Sequence, residues 1–347
     1  MSTNTFHGWA CPGKDQPLEW TELPLKEFDD ETVEMNVTHC GICGSDLHTL
    51  DSGWGPTDYP CVVGHEITGV CTRVGKNVKH IKAGDRIGVG AQSGSCLECD
   101  NCKNGDENIC QRKSVGTYNS RWYNGDKSFG GYADKWRGHE RFVFKIPDNM
   151  SNEIAATFFC AGVTTYSPLK RFGVKPGDKV GIIGIGGLGH FGVQWAKAMG
   201  ASVVALSHSD RKRADAKELG CDDYIITTDK EAMGAQNGTF THILCTNFSD
   251  TFDWALYLSL IKANGYFIMV ALPEKPLTNI PAMWLVSRQV SLVGSSIGSP
   301  SMIEDMLKFA ATHDVKPWIN KYPMKDANEA VKAMREGKAR YRFVLEN

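Results

Sequence analysis

From Lys179 onward the chain alternates short apolar runs with amphipathic stretches that stop at glycine, and few folds accept that pattern. "KVGIIG" reads as a buried strand and "GLGHFGVQWAKAMG" as a helix with a glycine stop. "SVVALS" and "DRKRADAKELG" repeat the pair. "DYIIT", "THILCT", "GYFIMVA" and "VSLVGSS" supply further strands, with a helix expected over "DTFDWALYLSLIKANG". This alternation predicts an α/β fold built on a doubly wound parallel sheet. The first strand meets the first helix at "GIGGLG", which places Gly184, Gly186 and Gly189 in G-x-G-x-x-G spacing, with Gly187 and Leu188 inside the turn. The first glycine makes the tight turn, the second lets backbone approach a pyrophosphate, and the third permits close helix–strand packing. The helix N-terminus then offers free N–H groups and partial positive charge to a phosphate. Alone the motif fits any tight turn; between a strand and a helix it predicts dinucleotide binding.

The end of the second strand separates the two nicotinamide cofactors. An Asp or Glu there binds the ribose 2′-hydroxyl and selects NAD. Here Ser207, His208 and Ser209 occupy that position, followed by Arg211, Lys212 and Arg213. Small hydroxyls beside basic groups suit a 2′-phosphate, which favours NADP. The alternative is that Asp210 selects NAD, or that it only caps the second helix while the basic residues form a solvated face.

The first half has a different character. "TVEMNVTHCGIC", "VVGHEITGVCTRVG", "GDRIGVGA" and "GGYADKWRGHERFVFKIP" read as strands joined by turns. A helical stretch, "SNEIAATFFCAGVTTYSPLKRF", follows. At 347 residues the chain exceeds what one core usually serves, so two domains are expected. The tail from "PSMIEDM" carries helical segments and a closing strand that suit either domain.

Net charge is −2, so there is no electrostatic reason to expect a nucleic-acid partner. No apolar run reaches the roughly 18 residues of a membrane span, and the N-terminus lacks a signal-peptide pattern. Twelve cysteines without a secretory signal point to a reducing, cytoplasmic setting, where they serve as metal ligands or buried apolar residues.

Four of them, Cys96, Cys99, Cys102 and Cys110, follow C-x2-C-x2-C-x7-C spacing. That spacing predicts a four-thiolate zinc site. Four thiolates fill a tetrahedral ion and leave no place for substrate, so this zinc is expected to be structural. A nucleic-acid-binding zinc finger is the alternative from another class; Glu98, Asp100, Asp106 and Glu107 inside the loop argue against it. A second set is scattered: Cys43 and His48, His65 and Glu66, and Cys160. A catalytic zinc needs about three protein ligands and an open position. Spacing does not join such distant residues, and by composition Cys160 equally fits a core cysteine and His65 a satisfied histidine.

The motifs "CGICGSDLH", "GHEITG", the four-cysteine lobe, "CAGVTTYSPL" and "GIGGLGH" stand in the order found in zinc-dependent medium-chain alcohol dehydrogenases. "GWGPTDYPCVVGHE", "VGVGAQSGSCLECDNC" and "ARYRFVL" resemble the cinnamyl alcohol dehydrogenase branch, fungal NADP-dependent members most of all. The resemblance spans essentially the whole chain. It implies a GroES-like β-rich catalytic domain over residues 1–153, completed by about 296–347, and a Rossmann domain over 154–295. The active site would lie in the cleft between them, and the protein would be a homodimer, with "VSLVGSS" as the strand that meets its partner. A cofactor-binding relative without zinc chemistry would lack the scattered ligands.

By the same resemblance Cys43, His65 and Cys160 hold a catalytic zinc, which with the structural ion makes two zinc ions per chain. Glu66 is a neighbouring or exchanging ligand, and Asp46 orients His65 through its second ring nitrogen. Ser45 and His48, with a ribose hydroxyl of the cofactor, form the proton relay. Thr164 lies near the nicotinamide, whose carboxamide is held by the backbone of Ser295, Ser296 and Ile297. Ser207, His208 and Lys212 bind the 2′-phosphate; relatives are expected to carry serine or arginine where this chain has His208. Trp54 forms an aromatic wall near the zinc. Tyr118, Trp122, Met283 and Trp284 fit the pocket, the core or a dimer contact alike. The implied activity is hydride transfer between NADP(H) and a small-molecule alcohol or aldehyde of aryl, allylic or medium aliphatic type. An NAD(P)-dependent polyol dehydrogenase is the alternative within the superfamily.

Overall fold

In the computed structural model, residues 4–249 and 251–347 are described. The first three residues of the N-terminal stretch, and position 250 at the start of an expected helix, lie outside them. The chain divides into two compact units: one runs to Val163 and resumes at Ile297, and the other is Thr164–Ser296.

The first unit is built on strand β1 (Thr32–Ile42), whose Val33, Met35, Cys40 and Ile42 are fully buried. Helix α1 (Gly44–Leu50) follows almost at once. The Asp46 carboxylate reaches back to the backbone N–H of Cys43 (2.9 Å), the acidic third position of the helix satisfying the amide at its start. Next along the sheet is β2 (Glu66–Val74), antiparallel to β1, with Gly41 opposite Glu66. The expected strand "VVGHEITGVCTRVG" is thus two pieces, a short Cys61–Val62 strand and β2, with Val63–His65 between them. The expected helix over 151–172 is also broken. It forms Asn152–Ala156, a 3-10 turn Thr157–Phe159, and α2 (Ala161–Arg171). Cys160 sits at the break with φ −128° and ψ −71°. The amide of Ala161, just beyond it, donates to the Glu66 carboxylate (3.3 Å), so a tertiary contact interrupts the local helix.

The second unit holds β3 (Lys179–Ile183), α3 (Gly189–Ala198), β4 (Ser202–Ser207), β5 (Asp223–Ile226), β6 (Phe240–Cys245), β7 (Ile261–Met269) and β8 (Ser291–Gly294). The strands pair in the order β5-β4-β3-β6-β7-β8, every pair parallel. That is the doubly wound order, in which the strand sequence reverses beside β3 and ligands bind at the carboxyl ends. The helix expected after position 250 is much shorter, Trp254–Ser259, started by Asp253 accepting from the N–H of Leu256 (2.9 Å). Residues from Ile261 belong to β7, where parallel pairing to β6 overrides the helical pattern and Asn264 takes φ +63° at the irregularity. Among the described residues, one buried cluster in the first unit surrounds Val33, Met35 and Ile67, and one in the second surrounds Ile243, Leu258 and Phe267.

The chain closes with β9 (Arg342–Glu346), antiparallel to β1, with Phe343 opposite Ile42. This brings Arg342 to the end of β1 where α1 begins. Among the described residues no helix is long and apolar enough to cross a membrane.

Candidate active site

Cys43, His65, Glu66 and Cys160 converge although three different segments carry them. One donor atom from each lies within 4.8 Å of the other three, and all four residues are buried. The Sγ atoms of Cys43 and Cys160 are 3.8 Å apart. Two thiolates on one tetrahedral zinc, at about 2.3 Å each, stand about 3.8 Å apart. The His65 Nε2 is buried without a hydrogen-bond partner, a vacancy that a metal satisfies. The donor set of two sulfurs, one imidazole and a carboxylate beside them suits a zinc that keeps a position open.

The bond to Cys160 holds the Cys43 thiol well below its usual value. Burial opposes a charged His65, but the Cys43 sulfur beside it and the charges of Asp46 and Glu66 raise the ring to about 9. A divalent metal bound by these donors takes the place of the ring proton. Tyr118 stacks on His65 with ring centroids 5.2 Å apart and 5° between planes.

Asp46 is fully buried, and its carboxylate accepts from the N–H of Cys43 (2.9 Å), the N–H of Gly64 (3.1 Å) and the hydroxyl of Tyr132 (3.1 Å). No hydrogen bond joins it to the His65 ring. It fixes the backbone on either side of the donors, Cys43 and the residue before His65, and reaches the ring through charge.

Glu66 carries an ion pair that spacing gave no hint of. Its Oε1 accepts from Arg342 Nη2, and both side chains are buried. Burial raises the Glu66 carboxyl to about 7 against the opposing charge of Arg342. The only available signal is that a lone arginine opens the apolar run "RFVL"; a charge there needs a buried partner.

Ser45 and His48 stand one turn apart on α1 and are half-buried. Ser45 Oγ is 3.5 Å from Cys43 Sγ. His48 stacks on Trp54, with centroids 4.3 Å apart and 16° between planes, and Trp54 is 43% exposed. Trp122 instead stacks under Lys26 in the buried interior of the first unit, while Met283 is exposed and Trp284 lies under Arg288.

The four-cysteine lobe is separate and compact. Sγ distances are 3.9 Å for Cys96–Cys102, 3.9 Å for Cys99–Cys110 and 3.4 Å for Cys96–Cys110. These are near the same thiolate spacing around zinc and far beyond a disulfide bond of about 2.05 Å. Backbone N–H groups of Cys99 and Gln111 point at the sulfurs of Cys96 (3.3 Å) and Cys99 (3.4 Å), which supports thiolates. All four positions are filled by sulfur, so this set can clamp a loop but not bind a substrate.

In the second unit Gly184 takes φ +82° and its N–H bonds to the Leu206 carbonyl (3.0 Å). A Cβ on Gly189 would lie 1.9 Å from the Gly184 carbonyl oxygen, so only glycine lets α3 start this close to the turn. Nothing lies within 4 Å of a Cβ built on Gly186, which leaves the backbone of Gly186, Gly187 and Leu188 open to a phosphate. Ser207 is buried at the end of β4, His208 exposed and Ser209 half-buried. Lys212 Nζ donates to the Ile185 carbonyl in the turn (2.5 Å), and burial lowers its pKa. Thr164 lies on α2 and is half-buried. Beyond β8, Ser295 N–H continues the ladder to the Met269 carbonyl (3.3 Å), Ser296 is exposed and Ile297 takes φ +38°. A β-branched residue in that region is strained, a condition that tends to gather at functional sites.

Family comparison gives the same two parts. The alcohol dehydrogenase GroES-like domain matches residues 29–148, and the zinc-binding dehydrogenase domain matches residues 187–312. The chain is 41% identical to "NADP-dependent alcohol dehydrogenase C 1" of Mycolicibacterium smegmatis, over 99% of this chain and 98% of that protein. It is 40% identical to a "Probable mannitol dehydrogenase" of Mesembryanthemum crystallinum, over 98% of this chain and 94% of that one. A solved cinnamyl alcohol dehydrogenase from Sorghum bicolor superposes with TM-score 0.94 at 36% identity, covering 99% of this chain and 97% of that structure. With a GroES-like unit, a Rossmann sheet and these full-length likenesses, the chain belongs to the zinc-dependent medium-chain alcohol dehydrogenases, in the cinnamyl alcohol dehydrogenase branch.

Proposed function

We propose that the chain interconverts aldehydes and primary alcohols of aryl, allylic or medium aliphatic type using NADP(H). The observation that carries this reading is the Cys43–Cys160 sulfur pair at 3.8 Å beside the unpartnered His65 Nε2, distinct from a closed four-thiolate set. When bound, zinc supplies Lewis acidity to the substrate oxygen and NADP(H) supplies or accepts the hydride. Cys43, His65 and Cys160 would hold the catalytic ion, three ligands that would leave a position for the substrate oxygen. Glu66 has Oε1 committed to Arg342 and Ala161, so only Oε2 is left to face the metal. Ser45 takes the hydroxyl proton and passes it toward His48, one turn along α1. Trp54, stacked on His48, gives the apolar wall that favours aryl and allylic groups. Cys96, Cys99, Cys102 and Cys110 hold the structural zinc.

In the second unit Gly184, Gly186, Gly187, Leu188 and Gly189 cradle the pyrophosphate. Ser207, His208, Ser209 and Lys212 receive the 2′-phosphate, and the absence of a carboxylate at the end of β4 supports NADP over NAD. Thr164 and the backbone of Ser295, Ser296 and Ile297 flank the nicotinamide. We assign catalysis to the unit that runs to Val163 and resumes at Ile297, which includes Cys160, and nucleotide binding to Thr164–Ser296. The protein works in the cytoplasm, consistent with its twelve free cysteines, and as a homodimer. Support for the dimer is that β8 ends the sheet with an open edge and that Met283 and Val286, just before it in sequence, are 72% and 77% exposed.

The likeness to a probable mannitol dehydrogenase supports a second reading, oxidation of a polyol. Steady-state assays with NADPH and NADH against benzaldehyde, cinnamaldehyde and hexanal, and with NADP⁺ against mannitol, separate the two. Aldehyde reduction with NADPH well above NADH is expected. Mannitol oxidation exceeding turnover of every aldehyde pair would favour the polyol.

A further inference from the structure

A metal-ligating imidazole is ordinarily fixed by a hydrogen bond on its second nitrogen. Here the expected partner, Asp46, makes none to His65. Its carboxylate is taken by the amides of Cys43 (2.9 Å) and Gly64 (3.1 Å) and by the Tyr132 hydroxyl (3.1 Å). The face of the ring is covered instead. Tyr118 lies parallel to His65, with 5° between planes and 5.2 Å between centroids, an offset stack of the kind aromatic rings prefer. Both residues belong to the first unit.

The Tyr118 backbone is pinned on both sides. It follows the short strand Val115–Gly116, antiparallel to Gln92–Gly94. Thr117 donates its N–H to the Ala91 carbonyl (3.0 Å) and its hydroxyl to the Gly90 carbonyl. Asn119 takes φ +49°, and its side-chain oxygen accepts from the N–H of Asp58 (2.9 Å). The Tyr118 side chain is buried, and its hydroxyl makes no hydrogen bond. What it offers His65 is therefore a fixed apolar plane and not a polar tip.

We propose that Tyr118 is a positioning residue for the catalytic metal: its ring, stacked on His65, sets the plane of the imidazole and so the direction of Nε2. The proposal rests on the reading of Cys43, His65 and Cys160 as the ligands of that metal. The two sulfurs, 3.8 Å apart, define where the ion sits, and Nε2 must point there at the same time. A turn about the bond from Cβ to the ring swings Nε2 away from that point. A parallel neighbour resists this turn, because it would drive the edge of one ring into the face of the other. Locking the ring before the metal arrives removes an ordering cost from binding.

The test is zinc affinity, measured by competition with a chromophoric chelator, together with the visible spectrum of the cobalt(II)-substituted protein, whose bands report ligand geometry. The variants are Tyr118→Phe, which keeps the plane and drops the hydroxyl, and Tyr118→Leu and Tyr118→Met, which keep apolar bulk without a plane. Cys43→Ala identifies which of the bound ions is the catalytic one. Tyr118→Phe is expected to match wild type in both readouts. Either ring-less variant should bind the catalytic zinc about three- to tenfold more weakly, the size of one aromatic pair, with shifted cobalt bands and an unchanged four-cysteine zinc. Wild-type zinc affinity and cobalt bands in Tyr118→Leu or Tyr118→Met would reduce Tyr118 to a core residue, whatever happens to the urea midpoint, and overturn the proposal. Tyr118→Phe as weak as Tyr118→Leu would overturn it too, by assigning the effect to the hydroxyl. Two zinc ions retained in Cys43→Ala would instead overturn the ligand assignment, and the proposal with it.

Discussion

A Cβ on Gly41 would lie 2.0 Å from Oε2 of Glu66, its partner across β1 and β2. The missing side chain at 41 is the space that the carboxylate occupies beside Cys43, His65 and Cys160. Gly41→Ala therefore forces Glu66 out of place and away from Arg342, leaving two buried charges poorly paired. Overpacking and a disturbed buried ion pair together should lower stability by about 2–4 kcal/mol, read from urea unfolding. Turnover should fall with it, since Glu66 borders the metal position. An unchanged urea midpoint with full activity would show that Glu66 has room the structure does not suggest.

The four-thiolate lobe should behave as a clamp. Cys102→Ala removes one of four ligands from a closed site, so zinc affinity falls and the segment from Cys96 to Cys110 loses its fixed form. The expected result is a lower thermal midpoint, loss of about one zinc per chain, and activity lost in step with unfolding rather than ahead of it. Selective loss of turnover in a protein of wild-type stability would contradict a purely structural role.

Two buried histidines each contribute stability that is lost in acid. His242 Nε2 donates to the Phe172 carbonyl (3.0 Å), and burial pushes its pKa below the ordinary histidine value. Burial does the same to His39, against the opposing charges of Glu153 and Glu346. The unfolded chain takes up protons at both rings near about pH 6.5, and the folded chain only at lower pH. Within that window the unfolded state binds more protons, so stability rises with pH and is lost as pH falls. Thermal midpoints measured from about pH 7.5 down to about pH 5.5 should decline, and His242→Gln should decline less steeply. An equal slope in the variant would remove His242 from the account.

Much of this was legible in the sequence where the signal is local. "KVGIIGIGGLG" is a strand, a turn and a helix start within a few residues, and the four-cysteine spacing closes on itself. Cys43, His65 and Cys160 were legible only through family likeness, because antiparallel pairing of β1 with β2 and a helix break bring them together, and neither is written in spacing. Arg342 and Gly41 escaped altogether. Each matters through a partner on another strand, and a glycine or arginine in isolation does not announce which residue it makes room for or neutralises. The helix expected through Gly265 failed for the same reason: pairing of β7 to β6 outweighed a local helical pattern.

Under the proposed function, chemistry belongs to the Cys43–His65–Cys160 set and not to the four-cysteine lobe. Elemental analysis of zinc, with NADPH-dependent reduction of cinnamaldehyde measured on the same samples, tests it most directly in wild type and Cys43→Ala. Two zinc ions per chain and turnover are expected for wild type. Cys43→Ala should stay folded, keep about one zinc and show no turnover. Near wild-type turnover in Cys43→Ala, or a wild type active with a single zinc per chain, would contradict the account.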